Sequence, residues 1–287
     1  MALMCMALAA LFVAQATVAR PSPDDGISQE LARLRAAGFP LVDYHTHLKE
    51  GLTLDEVLSR QRELGIKAGI AINGGLSFPI STDAGLEPFL QAMKGKRVYV
   101  AFQAEGREWV RLFNRPMLER FDYIFTDAMT WTDDQGNRMR LWIDGEVPPI
   151  ADAQRFMDML VERTVRIVSE EPIDIYVNPT FLPNQISSRY DELWTPERMT
   201  RVISALRANN VALEINNRYM IPSAAFIRQA KAAGVKLACG TNNTSAKDLG
   251  RMEYCVQTIR DLGLTPADMW TPPADGRKAI QRTRARN

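Results

Sequence analysis

Histidine is nearly absent from this chain: 287 residues contain two, His45 and His47. With both in one short segment, no third imidazole is left to serve as the base of a Ser or Cys triad, and no nucleophile elbow is present to need one. Cysteine is scarce as well, three in all, and Cys5 falls in the apolar N-terminal segment. Cys239 and Cys255 alone make no disulfide framework and read as a pair of core thiols rather than a bridge. Excess charge of one sign is also missing. The 35 basic and 34 acidic residues leave a net charge of +1, so no global field draws the protein to nucleic acid or a membrane surface. A Gly-rich phosphate loop, a Rossmann fingerprint, an internal repeat, a low-complexity tract and an interdomain linker are all lacking. The partner to expect is therefore a small molecule bound by a single domain.

What is there begins with Met1 to Ala19, apolar except for Gln15 and Thr17, with small residues after a Leu-Phe-Val centre. That is the layout of a secretory signal peptide cleaved after Ala16 or Ala19, and it predicts a secreted or periplasmic protein. Without an early Lys or Arg, an uncleaved membrane anchor is the other reading. At the opposite end, Arg277, Lys278, Arg282, Arg284 and Arg286 cluster without an apolar stripe and read as a solvated basic tail.

Between these ends, short apolar runs alternate with segments of helical period. The runs are Leu41–Tyr44, Ile66–Ile72, Arg97–Gln103, Tyr123–Thr126, Ile173–Val177, Val211–Ile215 and Val235–Gly240. Few polar residues interrupt them, as expected of parallel strands buried on both faces. The helices have readable ends. Thr53-Leu54-Asp55-Glu56 is a capping box with Gly65 as the stop, Thr195-Pro196 pairs a cap with an N1 proline, and Ser223 caps a helix that ends at Gly234. Seven strands so arranged predict an α/β fold, a distorted (β/α)7 TIM-like barrel. One connection, residues 128–150, is long and carries Trp131, Trp142, Arg138, Arg140 and an Asp133–Asn137 turn; it predicts a hairpin or lid at the strand's C-terminal end.

Barrel enzymes place reactive groups at the C-terminal ends of strands, where the ends converge on one mouth. The residues leaving the seven runs are His45 and His47, Asn73, Glu105, Asp127, Asn178, Glu214 with Asn216 and Asn217, and Asn242 with Asn243. On an extended segment two residues apart, both imidazoles face the same side and can share one cation. His45, His47, Glu105, Asp127, Glu214, Asn178 and Asn242 are the expected metal ligands, for one or two ions of Zn, Mn or Fe. Asp127 doubles as a catalytic candidate, and Arg107 and Arg218 are expected near the mouth as anion- or hydroxyl-binding groups. Tyr219, Trp131 and Trp142 are candidate stacking residues. Metal-activated water makes hydrolysis the first expectation. The same cation would also serve a lyase or isomerase that stabilises an enolate, and a metal-depleted binding module is the third reading.

Leu41-Val42-Asp43-Tyr44-His45-Thr46-His47-Leu48 resembles the first motif of the polymerase and histidinol phosphatase (PHP) superfamily. Leu213-Glu214-Ile215-Asn216 with Gly240-Thr241-Asn242-Asn243 and Asp248-Leu249-Gly250 is similar to the end of such domains. The resemblance implies the seven-stranded barrel over residues 40 to 265 and a metal-dependent, phosphoesterase-like activity. Departures from the family pattern fall at Asn73-Gly74, Asp127, Asn178-Pro179 and Asn242-Asn243-Thr244, where the family carries Asp or His. His45, His47 and Glu105 keep the family's ligand types, which implies fewer metals than a full trinuclear site.

Overall fold

A computed structural model describes residues 23–132, 136–273 and 277–282. The N-terminal segment assigned above to a signal peptide or anchor lies outside the described residues, as do Arg284 and Arg286 of the C-terminal stretch. No helix among the described residues is long and apolar enough to cross a membrane.

The strands are β1 (Val42–Thr46), β2 (Lys67–Gly75), β3 (Tyr99–Glu105), β4 (Tyr123–Thr126), a hairpin of β5 (Thr130–Thr132) with β6 (Arg138–Arg140), then β7 (Ile175–Tyr176), β8 (Ala212–Asn216) and β9 (Leu237–Gly240). All but the hairpin form one parallel seven-stranded sheet in the order β1-β2-β3-β4-β7-β8-β9. The sheet curls until its two edges meet. Asn242 N–H donates to the carbonyl of His45 (2.8 Å), and Asp43 accepts from the backbone N–H (2.9 Å) and hydroxyl (2.6 Å) of Thr241. The result is the nearly closed seven-stranded α/β barrel the sequence predicts, with the expected hairpin on the connection after β4.

Local sequence sets the helices. Thr53 and Glu56 exchange both bonds of a capping box, and Gly65 ends the helix Leu54–Leu64 in the left-handed region at φ 62°. The side chains of Thr195 and Ser223 cap Pro196–Ala208 and Ala224–Ala232. Each helix buries one stripe, for example Val202, Ile203 and Leu206, against the outside of the barrel.

Strand alternation then sorts the core in two. Phe102, Ala104, Ile124, Leu213, Ile215 and Leu237 pack outward under the helices. Val42, Tyr44, Ala71, Ala101, Tyr123, Phe125, Ile175, Ala212 and Ala238 pack inward around Trp270. Small residues on some strands make room for the large rings on others. A Cβ at Gly69 would lie 1.9 Å from the hydroxyl of Tyr123. Trp270 closes the bottom of the barrel, its N–H donating to Leu237 O (2.7 Å) and its carbonyl accepting from the Tyr44 hydroxyl (3.0 Å).

Two expectations are corrected here. Cys239 at the end of β9 and Cys255 in the helix Glu253–Asp261 are joined in a disulfide, not left as separate thiols. Their pairing depends on a helix folding back against a strand, which spacing alone does not reveal. The C-terminal stretch, as far as it is described, is not a solvated tail. Ala279–Arg282 is a helical turn with Ala279 and Ile280 buried. Ala279 N–H donates to Asp174 (2.8 Å), and Lys278 donates to Glu119 O (2.7 Å). Its two buried apolar residues and these bonds dock it beneath the barrel.

Candidate active site

The inward-facing positions that fill the barrel's lower half continue upward into polar residues. Ala71 is followed two residues on by Asn73, Ala101 by Gln103 and Glu105, Phe125 by Asp127, Ala212 by Glu214 and Asn216, and Ala238 by Gly240 and Asn242. The period of two that builds the apolar layer thus also aims these groups into the mouth. Two strands break the rule. The pairing of β1 with β2 shifts register between Asp43 and Thr46, so His45 turns inward directly after Tyr44 and sits 4.7 Å from the Phe125 ring. After β7, Asn178 enters the same space directly behind the inward-packed Val177, from left-handed backbone at φ 46°.

The structure brings together His45, His47, Glu105, Asp127, Asn178, Glu214 and Asn242, all buried. It gives them distinct tasks. Both oxygens of Glu214 are engaged by the protein. One oxygen meets His45 Nδ1 at 2.6 Å, and the other accepts from Asn178 N–H (2.6 Å) and Asn216 Nδ2 (2.9 Å). It is the carboxylate behind an imidazole, the partner that fixes ring orientation. Asn178 and Asn242 are committed likewise. Asn178 donates to Asp127 (2.8 Å) and accepts from Asn216 (3.0 Å) and Asn242 (2.8 Å). An imidazole, a backbone N–H and side-chain amides thus satisfy the two carboxylates, and the amides also bond one another.

Glycine is required at 240. A Cβ there would lie 2.1 Å from Glu214 Oε1 and 2.7 Å from His45 Cβ. Gly240→Ala is expected to destabilise the fold by about 2–3 kcal/mol, through overpacking around this pair, measured as a lower midpoint in urea.

The histidines differ. His45 and His47 lie edge to face with centroids 5.2 Å apart. His45 Nε2 faces Gln103 Oε1 at 3.3 Å, and Gln103 Nε2 donates to Glu105 (3.0 Å), so a carboxamide bridges imidazole and acid. His47 Nδ1 is fixed by the carbonyl of Ala71 (3.1 Å), while its Nε2 is buried beside the Gln103 side chain and makes no hydrogen bond of good geometry. Burial, then the charge of Lys49, holds the His47 ring well below the usual histidine range, so it is neutral. A neutral ring with one nitrogen tethered and the other bare is prepared to donate a lone pair.

Glu105 accepts from Asn73 (2.7 Å), Gln103 and Thr130 (3.3 Å). Its carboxyl is pushed up to about 8 by burial and then by the charge of Asp127, and burial raises Asp127 as well. An unfolded carboxylate titrates near ~4.3, so between that value and about 8 the folded, metal-free protein holds more protons than the unfolded chain. The contribution to stability is full below the lower value and is lost as pH rises through the upper one. Urea midpoints in the presence of EDTA are therefore expected to fall from pH 5 to pH 8, and added Zn or Mn is expected to flatten that slope.

Arg107 does not project into the mouth. It pairs with Glu171 (2.7 Å) and donates to the Thr126 hydroxyl and the Asp127 carbonyl (both 2.9 Å), bracing the barrel wall behind β4. Its expected role at the substrate is corrected accordingly. The order of sequence could not show that Glu171, 64 residues away, lies within reach. Arg107→Ala leaves the mostly buried Glu171 with the Trp109 indole N–H (2.6 Å) as its remaining side-chain donor and is expected to cost about 3 kcal/mol of stability. Thermal denaturation checks this.

Arg218 does stand at the rim, its guanidinium over the Tyr219 ring at 4.9 Å. Trp131 is buried in the core under the Arg163 guanidinium, whereas Trp142 stays 40% exposed at the mouth. Two residues were missed by reading strand exits. Gln103 sits one inward step before Glu105, inside a run taken as plain strand. Lys49 lies past the His pair, close enough to Glu105 and Arg218 for both charges to act on it.

With this geometry in view, the likeness to known proteins is thin. No known family and no curated protein matches the chain. Among solved structures it is similar to deoxyribose phosphate aldolase from Aeropyrum pernix, at 11% identity and a TM-score of 0.38, over 91% of this chain and 97% of that one. So distant a likeness says nothing of activity.

Among the described residues, no three His, Cys, Asp or Glu side chains converge as a ready metal cluster. Three of the expected donors nonetheless stand around one side chain, Gln103. His47 offers a bare buried nitrogen, and His45 and Glu105 both abut the Gln103 amide, which would either join the ligands or swing aside. The amide commitments of Asn178, Asn242 and Glu214 leave little for a second ion. The roughly 1010 Å3 cavity is not part of this site; it opens on the flank, against Trp109, Met159 and Ile167.

Proposed function

We propose that this chain is a metal-dependent hydrolase of a small molecule. The reading is carried by the His47 ring, tethered at Nδ1 and bare at a buried Nε2, beside His45, Gln103 and Glu105. His45, His47 and Glu105 would hold a single Zn, Mn or Fe ion. Bound there, the ion supplies Lewis acidity and a nucleophilic water at neutral pH. The chain's own residues do the rest. Glu214 and the Asn178–Asn216–Asn242 amides hold His45 in orientation. Asp127, held by Met129 N–H (2.9 Å) and Asn178 and raised by burial toward its protonated form, would pass a proton to the leaving group. The inward rings of the barrel, and Thr130 buried against Glu105, would keep bulk water from the floor of the mouth.

One observation favours a second reading. The Gln103 amide already links His45 to Glu105 without an ion, as a metal-free binding module would require. Elemental analysis of natively produced protein separates the two. About one equivalent of a transition metal, and hydrolysis of a phosphoester, ester or amide lost in EDTA and restored by that metal, is the expected result. Protein that stays metal-free after incubation with Zn, Mn and Fe would overturn the proposal.

A further inference from the structure

Beside the candidate site, between the loops that follow β7 and β8, lies a cavity of about 460 Å3, the size class of a small-ligand pocket. Two kinds of surface line it. Trp142, Phe181 and Tyr219 give flat apolar faces, with Phe181 and Tyr219 edge to face at 4.9 Å. Thr180, Asn184, Ser187 and Tyr190 give hydroxyls and an amide; Thr180 bonds Tyr190 (2.5 Å), Asn184 donates to Asp144 (3.0 Å) and Ser187 to the Asn184 carbonyl (3.3 Å), so what they keep for a ligand is chiefly acceptor oxygens. Aromatic faces alone would suit any ring, but faces alternating with hydroxyl and amide groups suit a ring that itself alternates C–H and O–H.

Charge adds a second requirement. Arg218 lines the cavity, its guanidinium over the Tyr219 ring at 4.9 Å. Among the described residues, no carboxylate forms an ion pair with this guanidinium, whereas Arg107, Arg120, Arg140, Arg189 and Arg198 are each paired. A guanidinium on a pocket wall without a carboxylate partner is a place for a ligand's anion.

We propose that this cavity is the substrate subsite and binds an anionic monosaccharide, its ring against Trp142 and Tyr219 and its carboxylate or phosphate on Arg218. The assignment deepens the hydrolase reading and rests on it for calling the ligand a substrate, but the binding itself needs neither metal nor turnover.

The test is equilibrium binding to EDTA-treated full-length protein, by calorimetry, with D-glucuronate, D-glucose 6-phosphate, D-glucose and benzoate as probes. At least one anionic sugar is expected to bind tenfold or more tighter than glucose and than benzoate, and the tighter of the two names the anion. Arg218→Ala is expected to weaken that sugar about tenfold while leaving glucose unchanged, and Arg218→Lys to recover part of the loss. Trp142→Ala is expected to weaken both sugars alike. Glucose or benzoate binding as tightly as the anionic sugars, no binding of either anionic sugar, or an unaltered preference in Arg218→Ala would overturn the assignment. Anionic sugars that bind as expected to a protein that never takes up metal would leave this subsite standing and sink the hydrolase.

Discussion

His47→Ala is expected to strip the protein of its metal and lower turnover on the order of a thousandfold, with the fold intact. The ring donates nothing to the barrel through Nε2, which is buried and makes no hydrogen bond of good geometry, and holds the structure only through its bond to Ala71. Removing it relieves an unsatisfied buried nitrogen at the cost of a small cavity. The two effects on stability oppose each other, whereas the effects on metal binding and rate do not. Metal content should fall below a tenth of an equivalent while the far-ultraviolet circular dichroism stays unchanged. A His47→Ala protein that keeps its metal and its rate would show that the bare nitrogen is an accident of packing.

Glu214→Gln should act through His45 without removing any atom from the site's outline. Both oxygens of Glu214 are used, one toward His45 Nδ1 and the other by Asn178 N–H and Asn216 Nδ2. A glutamine can keep only one of these. With its oxygen turned to the two donors, its NH2 faces His45 Nδ1, which must then accept and leave the proton on Nε2. That is the nitrogen directed at Gln103 and the candidate metal position. The expected loss is about 10–100-fold in Zn affinity, measured by competition with a chromophoric chelator. Nitrogen-15 spectra of labelled histidine should show the change of tautomer. Equal affinity in the variant would mean that His45 is not a ligand and that the Glu214 contact serves the core alone.

Much of this protein was determined locally and could be read without its structure. The Thr53–Glu56 box, the left-handed stop at Gly65 and the seven apolar runs follow from backbone chemistry and a period of two, which act over a few residues. The same period, carried past the last apolar residue, marks Asn73, Glu105, Asp127, Glu214 and Asn242 as groups facing one mouth. Tertiary structure decided who meets whom. That Glu171 takes Arg107, that Glu214 lies behind His45, that Gln103 bridges an imidazole and an acid, and that Cys239 joins Cys255 are facts about separations of 64, 169, 58 and 16 residues. Such pairings depend on barrel closure and on the register shift in β1. The energy of a carboxylate depends on its neighbours within a few ångströms, not on its place in the chain.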